Sequence, residues 1–270
     1  MIYISTSCLN SKNLFKILKE YRRMGIDNIE LGSNLSFTPN LVKRLKSFTC
    51  NYIIHNYFPP PENSFTFNMA SINVFARLES MNLARNAIRI CNEIGSHLYS
   101  FHTGFKIDPK IPFTNPNQTK EKPHKEAYKI FMKNISALND YAQYYDIMLA
   151  VENLEIRKGM DRFYLLNTWQ GLRYFVKRIG IGILLDLGHL NITSRTLNFD
   201  KYKYIEKIHK YVSAIHVHDN DSLTDTHDGI TKDSWVLDVI KDFDVPIVLE
   251  SHLTPNGIIK NKSLLERVCE

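Results

Sequence analysis

The stretch Val212-Ser-Ala-Ile-His-Val-His-Asp-Asn-Asp-Ser-Leu-Thr-Asp-Thr-His-Asp228 begins as a short apolar strand and ends as a polar loop. The strand half finishes in His216, His218 and Asp219, and the loop half carries Asp225 and His227 back toward the same point. Charged and imidazole groups persist at the end of a buried strand only when they are paired or metal-bound. A metal or catalytic site at the carboxyl end of a parallel strand is the simplest use for them.

Outward from this stretch the pattern repeats. Strands are expected at Ile2–Thr6, Ile29–Leu31, Asn51–His55, Leu98–His102, Ile147–Val151, Gly180–Asp186, Val212–Val217 and Val245–Leu249. Between them lies helical sequence: Asn13–Met24 closed by Gly25, a helix with Thr38 as N-cap and Pro39 at its first position, Asn68–Ile94, Lys125–Tyr144, a segment around Trp169, Tyr202–Tyr211, Trp235–Lys241 and Lys262–Cys269. Eight β/α units predict an α/β protein with a single (β/α)8 TIM barrel spanning residues 1–270. Residues 104–123 are rich in Pro, Lys and Asn and read as a long functional or mobile loop.

The third to eighth strands end in His55, His102, Glu152, Asp186 with His189, His216 and Glu250. In a barrel these ends converge on one face. Oxygen and nitrogen donors without thiolate suit Zn²⁺, Mn²⁺, Co²⁺ or Fe²⁺ better than Ca²⁺. With Asp225 and His227 the candidates number nine, more than one ion uses. Tyr57, Phe58, Asp219 and His252 are the candidate substrate-binding residues, Asp219 also as a group that fixes a histidine. His97, His124 and His209 fall outside strand ends and read as ordinary.

The 270 residues carry a formal charge of +6 and a pI near 9.0, which suits an anionic substrate without requiring one. The densest basic patch, Lys120–Lys125, falls in the long loop. Cys8, Cys50, Cys91 and Cys269 are far apart and form no C-x-x-C pair, which argues against thiolate zinc and a disulfide scaffold. The start Met1-Ile-Tyr-Ile-Ser is unlike a signal peptide and no apolar run approaches a membrane span, so a cytoplasmic protein with no membrane contact is expected. Nothing implies a dedicated protein partner.

The segments His55-Asn-Tyr-Phe, Phe101-His-Thr-Gly, Val151-Glu-Asn, Leu185-Asp-Leu-Gly-His189, Ile215-His-Val-His-Asp219, Asp225-Thr-His227 and Leu249-Glu250 resemble the xylose isomerase-like TIM-barrel superfamily, and within it endonuclease IV. That resemblance implies up to three zinc ions: His55, His102 and Glu152 on the first, Glu152, Asp186, His216 and Glu250 on the second, and His189, Asp225 and His227 on the third. It implies a phosphoester hydrolase acting on abasic DNA or a smaller phosphate ester. The superfamily's sugar isomerases and epimerases use the Glu152, Asp186, His216, Glu250 subset around one ion such as Mn²⁺ or Co²⁺. In that alternative Glu152 and Glu250 act as catalytic acid and base, while His55 and His102 contact the sugar. The DNA-inserting arginine loop of endonuclease IV has no counterpart in Gly32-Ser-Asn-Leu-Ser-Phe37. Hydrolysis is nonetheless the leading expectation, because all nine ligand positions are filled.

Overall fold

Apolar residues at every second position on short strands bury both faces of a sheet only if it is covered outside and filled inside. The computed structural model, which describes residues 1–108 and 124–269, solves this with eight parallel strands closed into a barrel. They are β1 (Ile2–Ser5), β2 (Asn28–Leu31), β3 (Asn51–His55), β4 (Leu98–His102), β5 (Met148–Glu152), β6 (Gly182–Asp186), β7 (Val212–Val217) and β8 (Ile247–Leu249). Closure is made where Ile2, Tyr3 and Ile4 pair with Ile247, Val248 and Leu249.

The helices α1 (Leu14–Arg23), α2 (Leu41–Leu45), α3 (Val74–Ile94), α4 (His124–Tyr144), α5 (Trp169–Ile179), α6 (Leu187–Leu197), α7 (Lys201–Ile208), α8 (Val236–Ile240) and α9 (Pro255–Cys269) cover the outside. One parity of each strand faces them. Ile4, Ile29, Leu31, Ile54, Tyr99, Phe101, Val151, Ile183, Leu185, Ile215 and Val217 belong to this outer core. The other parity fills the interior with a separate layer of Tyr3, Ile53, Leu98, Ala150, Leu184, Ala214 and Val248.

Because strand side chains alternate, the next inward residues are two positions further along. They are Ser5, His55, Ser100, Glu152, Asp186, His216 and Glu250. On β2 the inward position is Glu30, between outward Ile29 and Leu31. A polar tier therefore rests directly on an apolar floor.

Three local expectations are corrected. α2 starts after Asn40, whose left-handed backbone (φ 56°) opens the helix without a side-chain cap, so Thr38 and Pro39 stay outside it. α3 starts at Val74, capped by Asn73, because Asn68 is committed elsewhere: its Oδ1 accepts from Ala70 and Phe105, and its Nδ2 donates to Phe105, Ile107 and Asp108. The sequence reading has no helix at α6, which begins immediately after β6 with Asp186 as its cap. Most of the long loop and residues 120–123 of the basic patch lie outside the described residues. No helix of the described residues is long and apolar enough to cross a membrane.

Candidate metal centre

Glu152 stands at the middle of the polar tier with 1% of its surface exposed. Its Oε2 lies 3.0 Å from His102 Nε2 and 3.4 Å from His55 Nε2. Its Oε1 lies 3.3 Å from His189 Nδ1 and 3.5 Å from His216 Nδ1. His55 is held from its other side by the Ser100 hydroxyl, 3.0 Å from Nδ1.

His216 shows most clearly what the tier is fit for. Its Nδ1 faces Glu250 Oε2 at 2.9 Å, Asp186 Oδ2 at 3.5 Å and Glu152 Oε1 at 3.5 Å. A single N–H cannot satisfy three carboxylates. Glu152 Oε2, Asp186 Oδ2 and His216 Nδ1 are buried without a hydrogen-bond partner. Orphaned lone pairs of this kind converging on a point are the donor set of a divalent cation. Four groups of ligand atoms here lie within 4.8 Å of one another: His55, His102 and Glu152; Glu152, Asp186 and His189; Asp186, His216 and Glu250; and Glu30, His55 and His216.

A fifth group includes His189, on the first turn of α6. His227 Nε2 is 3.1 Å and His189 Nε2 is 3.5 Å from Asp225 Oδ2. The group also takes in His218, which the sequence reading leaves out of the ligand set. His218 is fully buried, stacks on His227 with ring centroids 4.0 Å apart, and has neither ring nitrogen hydrogen-bonded. Its Nε2 lies 3.2 Å from Asp186 Oδ1 and 3.8 Å from Asp225 Oδ1. The signal that finds it in the sequence is parity: residue 218 faces the same side of the strand as residue 216.

Several second contacts fix these groups. Asp186 Oδ1 accepts the His189 backbone N–H at 2.7 Å, so one carboxylate both caps α6 and faces the centre. Asn153 clasps the Asp186 backbone through two hydrogen bonds of 2.9 Å. Glu250 Oε1 accepts from the Ser7 hydroxyl at 3.2 Å, and the Glu250 carbonyl is 2.6 Å from His227 Nδ1. Glu30, also absent from the sequence reading, puts Oε2 2.7 Å from His216 Nε2.

Electrostatically the centre is a mutual compensation of opposite charges. Burial acts to raise Glu152 and Asp186, but the adjoining histidines outweigh it and hold both carboxyls well below the usual range. Glu250 is brought down to about 2 in the same way, chiefly by His216 against the effect of burial. Burial acts to lower His189, His216 and His227, and the carboxylates outweigh it, pushing His227 up to about 9 and the other two well up. His55 goes the other way, because for it burial wins.

The structure brings all nine candidate ligands together on the carboxyl face. The four candidate substrate residues are dispersed. Phe58 is fully buried in the outer core, where it packs rather than presents a face. Tyr57 is half-buried, with its ring against Phe65 and Phe67 and its hydroxyl accepting from the Phe65 backbone. Asp219 pins its own loop: Oδ2 accepts from Ser234 at 2.6 Å and its backbone bridges Asp228. His252 is exposed beside His227, with ring centroids 5.0 Å apart. His209 bonds the Asp242 carbonyl and stacks on Phe243.

A family model described as xylose isomerase-like TIM barrel matches residues 18–267. An uncharacterized protein of Methanocaldococcus jannaschii is 23% identical over 233 residues, 83% of this chain and 79% of its own. Among solved structures the chain is similar to a D-tagatose 3-epimerase-like protein (TM-score 0.76, 20% identity, 99% of this chain and 96% of that one). It is also similar to the D-psicose 3-epimerase of Clostridium cellulolyticum H10 (TM-score 0.74, 12% identity, 100% and 99%). These likenesses run to sugar 3-epimerases and not to endonuclease IV, and they overturn the expected endonuclease IV relative and its phosphoester hydrolase acting on abasic DNA. The sequence departs from that expected relative at Gly32-Ser-Asn-Leu-Ser-Phe37, where the DNA-inserting arginine loop implied by the resemblance has no counterpart.

Proposed function

Since the chain belongs to the xylose isomerase-like TIM-barrel family, we propose that it is a metal-dependent isomerase or epimerase of a small sugar or sugar phosphate. The observation that carries this reading is that Glu152 on β5 and Glu250, directly after β8, approach the same His216 nitrogen from separate strands, at 3.5 and 2.9 Å, with Asp186 beside them. Two carboxylates flanking one bound ion can serve the two faces of a substrate carbon.

Glu152, Asp186, His216 and Glu250 would hold the ion, Mn²⁺ or Co²⁺ by their oxygen-rich set. When bound, such an ion polarises a carbonyl or hydroxyl oxygen and acidifies the neighbouring C–H. One glutamate then takes the proton from the carbon next to the carbonyl, and the other returns a proton to the opposite face or to the adjacent carbon. Both glutamates are held ionised in the metal-free state, so the one that takes the proton is ready as a base, and the one that returns a proton has first to take one up from solvent. His55 and His102 both lie against Glu152 Oε2 and would donate hydrogen bonds to sugar hydroxyls. The +6 charge suits an anionic sugar derivative.

His189, His218, Asp225 and His227 form a second, imidazole-rich cation site, for which zinc is the natural occupant. The unpartnered nitrogens of His218 and the unpartnered Asp225 Oδ1 support it.

The test is deuterium incorporation. Ketoses and ketose phosphates incubated in D₂O with the Mn²⁺- or Co²⁺-loaded protein are expected to gain deuterium beside the carbonyl and to yield the epimer or isomer. Absence of exchange across such a set, with the ion bound, would remove the proposal.

A further inference from the structure

We infer that Glu30 is the positioning residue of the inner centre, the group that decides which nitrogen of His216 is offered to a cation. The inference rests on reading that centre as a cation site, and it concerns a strand, β2, from which the sequence pattern leads no ligand to be expected.

Glu30 lies at the inward position of β2 and is 1% exposed. Its carboxylate reaches across the interior to β7 and meets His216 Nε2 at 2.7 Å, with both side chains fully enclosed. A buried carboxylate this far from water is retained only against a matched donor. Its Oε1 has no partner, so the bond to His216 is the contact that holds it there.

An imidazole that binds an ion through one nitrogen keeps its proton on the other. Two acceptors compete for His216. Glu250, at 2.9 Å, claims Nδ1, and a proton kept there would close the nitrogen to any ion. Glu30, at 2.7 Å, claims Nε2, and a proton kept there leaves the Nδ1 lone pair pointing at Glu152, Asp186 and Glu250. Glu30 therefore settles the competition in favour of the cation. It also fixes the ring plane, and it makes the bound nitrogen a stronger donor by drawing on the opposite N–H.

In the outer group the corresponding place is taken by backbone carbonyls, that of Glu250 2.6 Å from His227 Nδ1 and that of Asn153 3.0 Å from His189 Nδ1, whereas His216 is oriented by a carboxylate.

The experiment is a comparison of Co²⁺ and Mn²⁺ affinity in wild type, Glu30→Gln and Glu30→Leu, measured by competition with a chromophoric chelator and by the Co²⁺ visible spectrum. Glu30→Gln keeps an oxygen acceptor and is expected within about threefold of wild type, whereas Glu30→Leu is expected to lose about 10- to 100-fold with an altered spectrum. Equal affinities in all three would overturn the inference. So would equal losses in Gln and Leu, since Glu30 would then act by its charge or as a ligand. Failure of the wild type to bind either ion would instead strike the cation-site reading itself. Should the Leu variant not fold, the zinc-loaded wild type still decides: long-range ¹H–¹⁵N spectra are expected to show His216 bound through Nδ1 with a proton on Nε2, and binding through Nε2 would refute the role of Glu30.

Discussion

Gly188 and His218 occupy one space: a Cβ on residue 188 would stand 2.0 Å from Cε1 of the His218 ring and 2.4 Å from both its nitrogens. The imidazole lies flat against the first turn of α6, and only a residue without a side chain admits it. The buried position of His218 is thus made by a glycine on a neighbouring element.

Replacing Gly188 with alanine should push His218 out of the outer group. Overpacking of this kind costs about 1–3 kcal/mol. The variant is expected to unfold at a lower temperature than wild type and to lose the zinc-dependent part of its stabilisation, as thermal melts with and without chelator would record. A wild-type melt in both conditions would show that the ring has room elsewhere.

Asp186 carries two duties that substitution can separate. Asparagine can still accept the His189 N–H and cap α6, whereas alanine cannot, and loss of a cap costs about 1 kcal/mol. Both variants should lose the inner ion on elemental analysis. In the metal-free state both should melt below wild type, since each leaves the charged histidines without the Asp186 carboxylate, and Asp186→Ala further by the lost cap; retention of the ion by either would disprove the ligand role.

Glu152→Gln and Glu250→Gln should each slow proton exchange at the substrate carbon by about 10² to 10⁴-fold. Mass spectrometry of substrate recovered from D₂O gives the rate directly. Exchange at the wild-type rate in either variant would exclude that residue as acid or base.

The pH dependence follows from the raised histidines. His189, His216 and His227 have folded-state values above the ordinary 6.5, His227 at about 9. In the metal-free protein their charge stabilises the fold fully below about pH 6.5 and ceases to do so as pH rises through each folded-state value, about 9 for His227. A cation needs the deprotonated nitrogens, so its binding releases protons and strengthens over the same interval. The melting temperature of chelator-treated protein should fall between about pH 6.5 and 9, while the increment on adding Zn²⁺ grows. On the acid side the depressed Glu250 contributes above about pH 4, and that contribution is lost as pH falls toward about 2. An increment that does not change with pH would contradict this account.

Much of the centre is legible in the chain because six strands break an apolar run with an acid or imidazole at their last inward position. Glu152 and Asp186 stand out for that reason. Glu30 does not, since Ile-Glu-Leu looks like the ordinary in-and-out alternation of a half-exposed strand; in a closed parallel barrel the odd residue faces the interior instead of water. His218 is hidden because its burial depends on Gly188, on a helix that the sequence reading lacks. That helix, α6, is obscured by its own cap, Asp186, which ends the preceding strand. The nine-residue ligand set also suggests a hydrolase that the structural likenesses do not support, because donor atoms determine what cation a site can hold and leave open which bond it works on.

The apolar floor of Tyr3, Ile53, Leu98, Ala150, Leu184, Ala214 and Val248 gives the barrel a single mouth. On the proposed reading, an ion held by Glu152 and Glu250 would be covered by a sugar entering through that mouth after it, so the ion would load first and leave last.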